Sequence, residues 1–192
     1  GCTSLTTAPE LPATELVDSC YESMFYNCSS LVTAPELPAK ALSGWCYDSM
    51  FRGCTSLIKA PELPATTLSI GCYDNMFRGC SKLSYIKAMF NHNIINDSGE
   101  YEYTSNWVEG VSPTGTFVKN TTATWNVIGS NGIPEGWVKE YEGKLDYMTI
   151  ECITNCSIAF SQISAIEWGE YDSEGNYQWT GILSSGVKTF TP

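Results

Sequence analysis

Residues 28–53 read Cys-Ser-Ser-Leu-Val-Thr-Ala-Pro-Glu-Leu-Pro-Ala-Lys-Ala-Leu-Ser-Gly-Trp-Cys-Tyr-Asp-Ser-Met-Phe-Arg-Gly. The same 26-residue frame runs from Cys2 and from Cys54, and a partial fourth copy starts at Cys80. Self-similarity at such a period marks units that can bury their apolar side only against a neighbour. Residues 1–90 are therefore expected to stack as a repeat solenoid.

Superposing the copies sorts the slots. Leu5, Leu31, Leu57 and Leu83 share one; Leu11, Leu37 and Leu63 another; Leu16, Leu42 and Leu68 a third; Met24, Met50, Met76 and Phe25, Phe51, Phe77 complete the apolar set. Each such side chain contributes about 1.5 to 3 kcal/mol when buried, so these columns can form a continuous core. The stretches Leu5 to Ala8, Leu31 to Ala34 and Leu57 to Ala60 suit short parallel strands. The prolines of the Pro-Glu-Leu-Pro that follows supply no N–H donors and should stop the ladder.

Cys-Tyr-x-x-Met-Phe has spacing for one or two helical turns. Glu22, Asp48 and Asp74 fall in the expected first turn and Arg52 and Arg78 in the last, as a helix dipole favours. Asn27, Gly53 and Gly79 follow, residues that tolerate a left-handed C-cap. Short parallel strands alternating with short helices make a leucine-rich-repeat plan.

The run Met50 to Leu57, Met-Phe-Arg-Gly-Cys-Thr-Ser-Leu, and its echo Met76 to Leu83 resemble the BspA-like leucine-rich repeats of bacterial surface proteins. The resemblance covers roughly residues 1–90, with a unit longer than the family's common form. It implies a right-handed solenoid displayed outside the cell and used for adhesion or protein contact, and it names no ligand.

Lys87-Ala88-Met89-Phe90 replaces the proline motif in the fourth copy, as expected where a repeat array ends. Residues 91–142 are then expected to be a linker and β-rich C-terminal cap, with strands near Gly115 to Lys119, Thr124 to Ile128 and Gly136 to Tyr141. The words at 107–117 and 132–137 look similar to a segment that follows such repeats in related surface proteins, which implies capping. Trp107, Trp125 and Trp137 are core candidates. Residues 143–192 should form a small antiparallel β unit: Tyr147 to Cys152, Cys156 to Phe160, Ala165 to Tyr171, Tyr177 to Ile182 and Val187 to Phe190. Asp172 to Asn176 serves as a hairpin turn.

The net charge of −11 is concentrated beyond residue 90, where thirteen acids face four bases. Such a surface repels phosphate, which disfavours nucleic acid and anionic membrane partners. No apolar run is long enough to span a bilayer, so no membrane insertion is expected within the chain. Gly1 occupies the slot of Asn27, Gly53 and Gly79, so the chain begins inside a repeat and is expected to be a fragment of a longer protein.

Seven of the nine cysteines form two columns, Cys2, Cys28, Cys54, Cys80 and Cys20, Cys46, Cys72. Without C-x-x-C pairs or neighbouring histidines, no metal and no cofactor are expected. Buried thiols packing as small hydrophobes suit these columns best. Cys152 and Cys156 fit either a cross-strand disulfide or two free thiols.

No catalytic residue emerges. His92 is the single histidine, and no phosphate-cradling loop or nucleophile elbow is present. The drifting strand slots Thr7, Thr33, Lys59 and Tyr85, with the column Glu10, Glu36 and Glu62 beside them, are the candidate ligand-binding residues, since a variable sheet face is where repeat arrays bind. The function expected is a non-catalytic, extracellular or cell-surface adhesion or protein-binding module with a protein or host-surface ligand. The alternatives are a carbohydrate-binding module whose ligand is a glycan, or a structural stalk or phage-tail-like display element.

Overall fold

The computed structural model describes residues 1–91, 103–120, 123, 125 and 127–142, with the backbone of four strands beyond them. The chain divides into two compact units, Gly1–Gly143 and Lys144–Pro192.

In the first unit, successive copies of the repeat lie side by side in register. Coil 1 is the copy starting at Cys2, coil 2 that at Cys28, coil 3 that at Cys54 and coil 4 that at Cys80. Thr7 bridges Thr33, Ala41 bridges Thr67 and Lys59 bridges Tyr85, all parallel and all 26 residues apart. The one-residue bridges widen into a sheet only further on, where β1 (Tyr85–Ala88), β2 (Thr116–Lys119) and β3 (Val138–Tyr141) pair in parallel in that order.

The Cys-Tyr-x-x-Met-Phe stretch departs from expectation: no helix occurs among the described residues. It is a ribbon of overlapping turns. The N–H groups of Cys20, Glu22, Met24, Tyr26 and Cys28 each bond the carbonyl three residues back, at 3.0 to 3.3 Å. The intervening N–H groups of Ser19, Tyr21, Ser23, Phe25 and Asn27 instead bond Gly44, Cys46, Asp48, Met50 and Arg52 of coil 2, at 2.7 to 3.0 Å. Half of the donors thus close turns and half tie coils together. Every fourth residue has a left-handed backbone: Ser19, Ser23, Asn27; Trp45, Ser49, Gly53; Gly71, Asn75, Gly79. A positive φ at the third position is the mark of a type II turn, and asparagine and glycine adopt it at least cost. The expected left-handed residue at Asn27, Gly53 and Gly79 is present, but it closes a turn rather than a helix.

Residues 103–119, expected to be linker and cap, form a further coil. Tyr73, Asn75, Phe77 and Gly79 donate to Tyr103, Ser105, Trp107 and Glu109 at 2.7 to 2.9 Å, an offset of 30 residues in place of 25. Asn106-Trp-Val-Glu-Gly110 thereby takes the place of Asn75-Met-Phe-Arg-Gly79, and Asn106 and Gly110 again have positive φ. Residues 130–132 then cover this coil: Val108 donates to the Ser130 carbonyl at 3.2 Å, and the Trp107 indole to Gly132 at 2.8 Å.

The core is a set of columns. Tyr21, Tyr47 and Tyr73 stack with 6.0 Å between successive ring centroids, and Phe25, Phe51 and Phe77 at 5.6 and 5.8 Å. Trp107 packs on both columns, tilted against Tyr73 and Phe77. Trp107, Trp125 and Trp137 are all buried, and each indole N–H reaches a backbone carbonyl, of Gly132, Phe90 and Ser112. On coil 1 Met24 is 45% exposed where Met50 and Met76 are fully buried, and Leu5 and Leu16 are half-buried.

The second unit holds two antiparallel pairs: β4 (Cys156–Phe160) with β7 (Gly186–Phe190), and β5 (Ile166–Tyr171) with β6 (Tyr177–Leu183). These lie within a residue of four of the five expected strands. The fifth, Tyr147 to Cys152, the Asp172 to Asn176 turn and the Cys152 thiol lie outside the described residues, as do Thr124 and Asn126 within Thr124 to Ile128.

Candidate functional site

Between coils 2 and 3 the parallel ladder is open. Coils 1 and 2 are joined by Ala8 N–H to Thr33 O (3.1 Å) and Val32 N–H to Thr6 O (2.9 Å). Coils 3 and 4 are joined by Ala60 N–H to Tyr85 O and Ser84 N–H to Ile58 O, both 2.9 Å. The equivalent groups between coils 2 and 3 are Ala34 N–H with Lys59 O and Ile58 N–H with Val32 O, and they form no such bonds.

The opening is bounded by chemistry that the sequence dictates. Pro35 and Pro38 face Pro61 and Pro64 across it, and none of the four supplies an N–H. Coils 2 and 3 rejoin past it, where the N–H groups of Thr66 and Thr67 donate to Lys40 O at 3.0 and 3.3 Å and Leu42 N–H to Thr67 O at 2.9 Å. Coil 4 has lost its prolines, so between coils 3 and 4 the ladder continues, with Leu63 N–H on Lys87 O and Met89 N–H on Leu63 O, both 3.0 Å.

The result is a groove of about 610 Å³, within the range of pockets that hold ligands. Buried Pro35, Leu37, Ala60 and Pro61 belong to its apolar part, and Thr33, Glu36, Lys59 and Glu62 are its exposed polar residues. Four of the seven residues expected to bind ligand are thus brought together. Thr7 and Glu10 lie on coil 1, exposed but outside the groove, and Tyr85 is half-buried in β1 under the Lys59 ammonium, 5.0 Å from its ring centroid. The proline walls were read from the sequence only as a ladder stop.

The charges of the groove are not equivalent. Lys59 is engaged with Tyr85, and Glu62 is 3.3 Å from Lys87, which also pairs with Glu142 at 2.8 Å. Glu36 forms no ion pair among the described residues and is exposed. The expected carboxylate column is therefore offset at one end by Lys87 and left to solvent at Glu36 and Glu10.

The thiols are a packing system. Cys28, Cys46, Cys54, Cys72 and Cys80 are buried and free, whereas Cys2 and Cys20, on coil 1, are exposed. Burial pushes the thiols of Cys46, Cys54 and Cys72 up to about 12, and that of Cys80 higher still. The hydroxyl of Ser4, 3.8 Å away, helps to lower that of Cys2. No group of three His, Cys, Asp or Glu among the described residues is placed to hold a metal ion, and His92 lies outside them. No helix among the described residues is long and apolar enough to cross a membrane. Comparison with protein-family models, curated proteins and solved structures found no match.

Proposed function

We propose that the chain is a non-catalytic binding module, a leucine-rich-repeat-like solenoid of the BspA-like kind, displayed outside the cell or on its surface. Its partner is a protein or other host-surface ligand. The observation that carries this reading is the groove between coils 2 and 3, where Thr33, Glu36, Lys59 and Glu62 surround an apolar strip. A concave site that sets apolar surface beside a few exposed polar groups is suited to recognition, and nothing in it pairs a nucleophile with a base.

The test is adhesion. Beads coated with the chain are expected to bind one or more extracellular-matrix proteins or cultured host cells, and beads coated with a Thr33→Arg variant to bind less. Equal retention by both would remove the groove from the account, and no retention by either would remove the adhesion reading.

A second reading, carbohydrate recognition, rests on Trp45. Its indole is 43% exposed on a left-handed backbone (φ 51°), and the neighbouring Gly44 N–H is held by the Asp18 carboxylate at 2.9 Å. Binding on a glycan array that Trp45→Ala abolishes would favour it; a blank array would dismiss it.

A further inference from the structure

We infer that the Trp45 site takes a neutral hexopyranose, packed on the indole and held through its hydroxyls by the Asp18 carboxylate. The inference rests on the carbohydrate reading of Trp45 and names the class of sugar. Three coils meet at this site, away from the groove. The Trp45 N–H bonds Ile70 O at 2.9 Å, and the Asp18 carboxylate accepts the Gly44 N–H at the same distance. Gly44 separates Asp18 from Ile70, since a Cβ on it would stand 3.4 Å from the carboxylate and 3.6 Å from the Ile70 side chain. A Cβ on Gly71 would run into Cδ1 and Nε1 of Trp45, so the pyrrole side of the ring rests against coil 3.

Trp45 differs from the buried tryptophans at its polar edge. The indoles of Trp107, Trp125 and Trp137 each donate to a backbone carbonyl, whereas the exposed indole of Trp45 donates to nothing among the described residues. Asp18 is exposed and uses one carboxylate oxygen on Gly44. The site therefore combines an apolar ring, an unused donor and an acceptor oriented by the residue before the ring.

A ligand has to match both polar groups. An ammonium would serve only the carboxylate, and an anion only the indole N–H, whereas a hydroxyl both donates and accepts. A pyranose carries several hydroxyls and an apolar C–H face suited to an aromatic ring, and Ile70, 47% exposed, adds apolar surface beside Gly44. Charge then selects among sugars. Asp18 shares coil 1 with exposed Glu15 and Glu22, and that coil has no lysine or arginine. Sialylated, sulfated and uronic sugars would be repelled.

The experiment is an array of neutral hexosides, each beside its sialylated, sulfated and uronic counterparts, probed with the chain and with Trp45→Ala and Asp18→Asn. Binding to neutral spots is expected, and Trp45→Ala should abolish it. Asp18→Asn keeps an oxygen for the Gly44 N–H but removes the charge. In titration it should weaken the best neutral hexoside about tenfold, the difference between a charged and a neutral acceptor, and narrow the preference over the anionic counterparts. Preference for anionic spots, binding that survives Trp45→Ala, or equal affinity of Asp18→Asn and the native chain would each overturn the inference while leaving a carbohydrate-binding chain. A blank array would dismiss the carbohydrate reading itself and the inference with it.

Discussion

The thiol of Cys54 donates to the carbonyl of Phe25 at 3.1 Å. That carbonyl already accepts the Cys28 N–H within its own turn, and Cys80 repeats the arrangement on Phe51 at 3.0 Å. Cysteine at this slot is therefore both a small apolar filler and a weak donor, reaching from the start of one copy to the closing turn of the copy two before it. Replacing Cys54 by alanine forfeits both and is expected to lower stability by about 1 to 2 kcal/mol, read as a shift in the urea midpoint.

Burial also decides thiol reactivity. Since only the thiolate is nucleophilic, Cys46, Cys54 and Cys72, pushed up to about 12, should resist alkylation in the folded chain at pH 8. Cys2 and Cys20 should label quickly. Peptide mapping by mass spectrometry after iodoacetamide treatment checks this; early labelling of Cys54 or Cys72 would show that the columns open.

Tyr47 carries the one buried side-chain oxygen or nitrogen found without a partner among the described residues. A buried hydroxyl left unbonded costs about 1 to 3 kcal/mol, and removing it keeps the ring stacked between Tyr21 and Tyr73. Tyr47→Phe should leave stability unchanged or raise it by about 1 kcal/mol. A lowered melting temperature would mean that the hydroxyl has a partner.

Two glycines separate backbone strain from crowding. Gly79 has φ 76° and open surroundings, its nearest neighbours being Gly53 backbone atoms at 3.8 Å. Alanine there should cost roughly 1 to 2 kcal/mol, the price of a left-handed L-residue. Gly71 has φ 63° and lies under the Trp45 indole, into which a Cβ would run. Gly71→Ala should cost more than Gly79→Ala and should change the Trp45 fluorescence.

Lys87 links coil 4 to Glu62 of coil 3 and to Glu142 beyond β3. Its pKa is raised, chiefly by the bond to Glu142 and then by that to Glu62. A raised pKa in the folded chain means stabilisation that is complete below the ordinary lysine value of 10.5 and is lost as pH rises through the folded value. Both partners are well exposed, so the effect is at most about 1 kcal/mol. The stability gap between the native chain and Lys87→Met should be constant from neutral pH to about pH 9 and close above the lysine range.

Much of this architecture was legible in the repeat. Identical slots had to superpose, so the Leu, Met and Phe columns, the Thr7, Thr33, Lys59, Tyr85 line and the proline stop follow from period alone. The helix reading failed for a physical reason. Buried Cys46-Tyr47 and Met50-Phe51, with half-buried Asp48 and Arg52 following each pair, make a period of four, which over eight residues matches a helix's 3.6. The left-handed residue at every fourth position distinguishes the turn ribbon, but Ser23, Trp45 and Ser49 do not advertise it as glycine would.

The coil at 103–119 was hidden by its altered spacing and by Trp107-Val108 standing where Met-Phe was expected, although Asn106 and Gly110 kept their places. The groove lay deeper still. Prolines could be seen to stop a ladder, yet that the Ala34–Lys59 and Ile58–Val32 bonds are missing where their equivalents in the flanking pairs of coils form depends on how each pair settles in three dimensions.

The opening itself is tested most directly by residue-resolved amide hydrogen exchange on the unliganded chain. The Ala34 and Ile58 amides should exchange quickly, while the corresponding amides of Ala60 and Ser84, and those of Phe51 and Gly53 in the ribbon between coils 2 and 3, are protected. Protection of Ala34 and Ile58 equal to that of Ala60 and Ser84 would mean a closed ladder, and with it no groove to bind a partner.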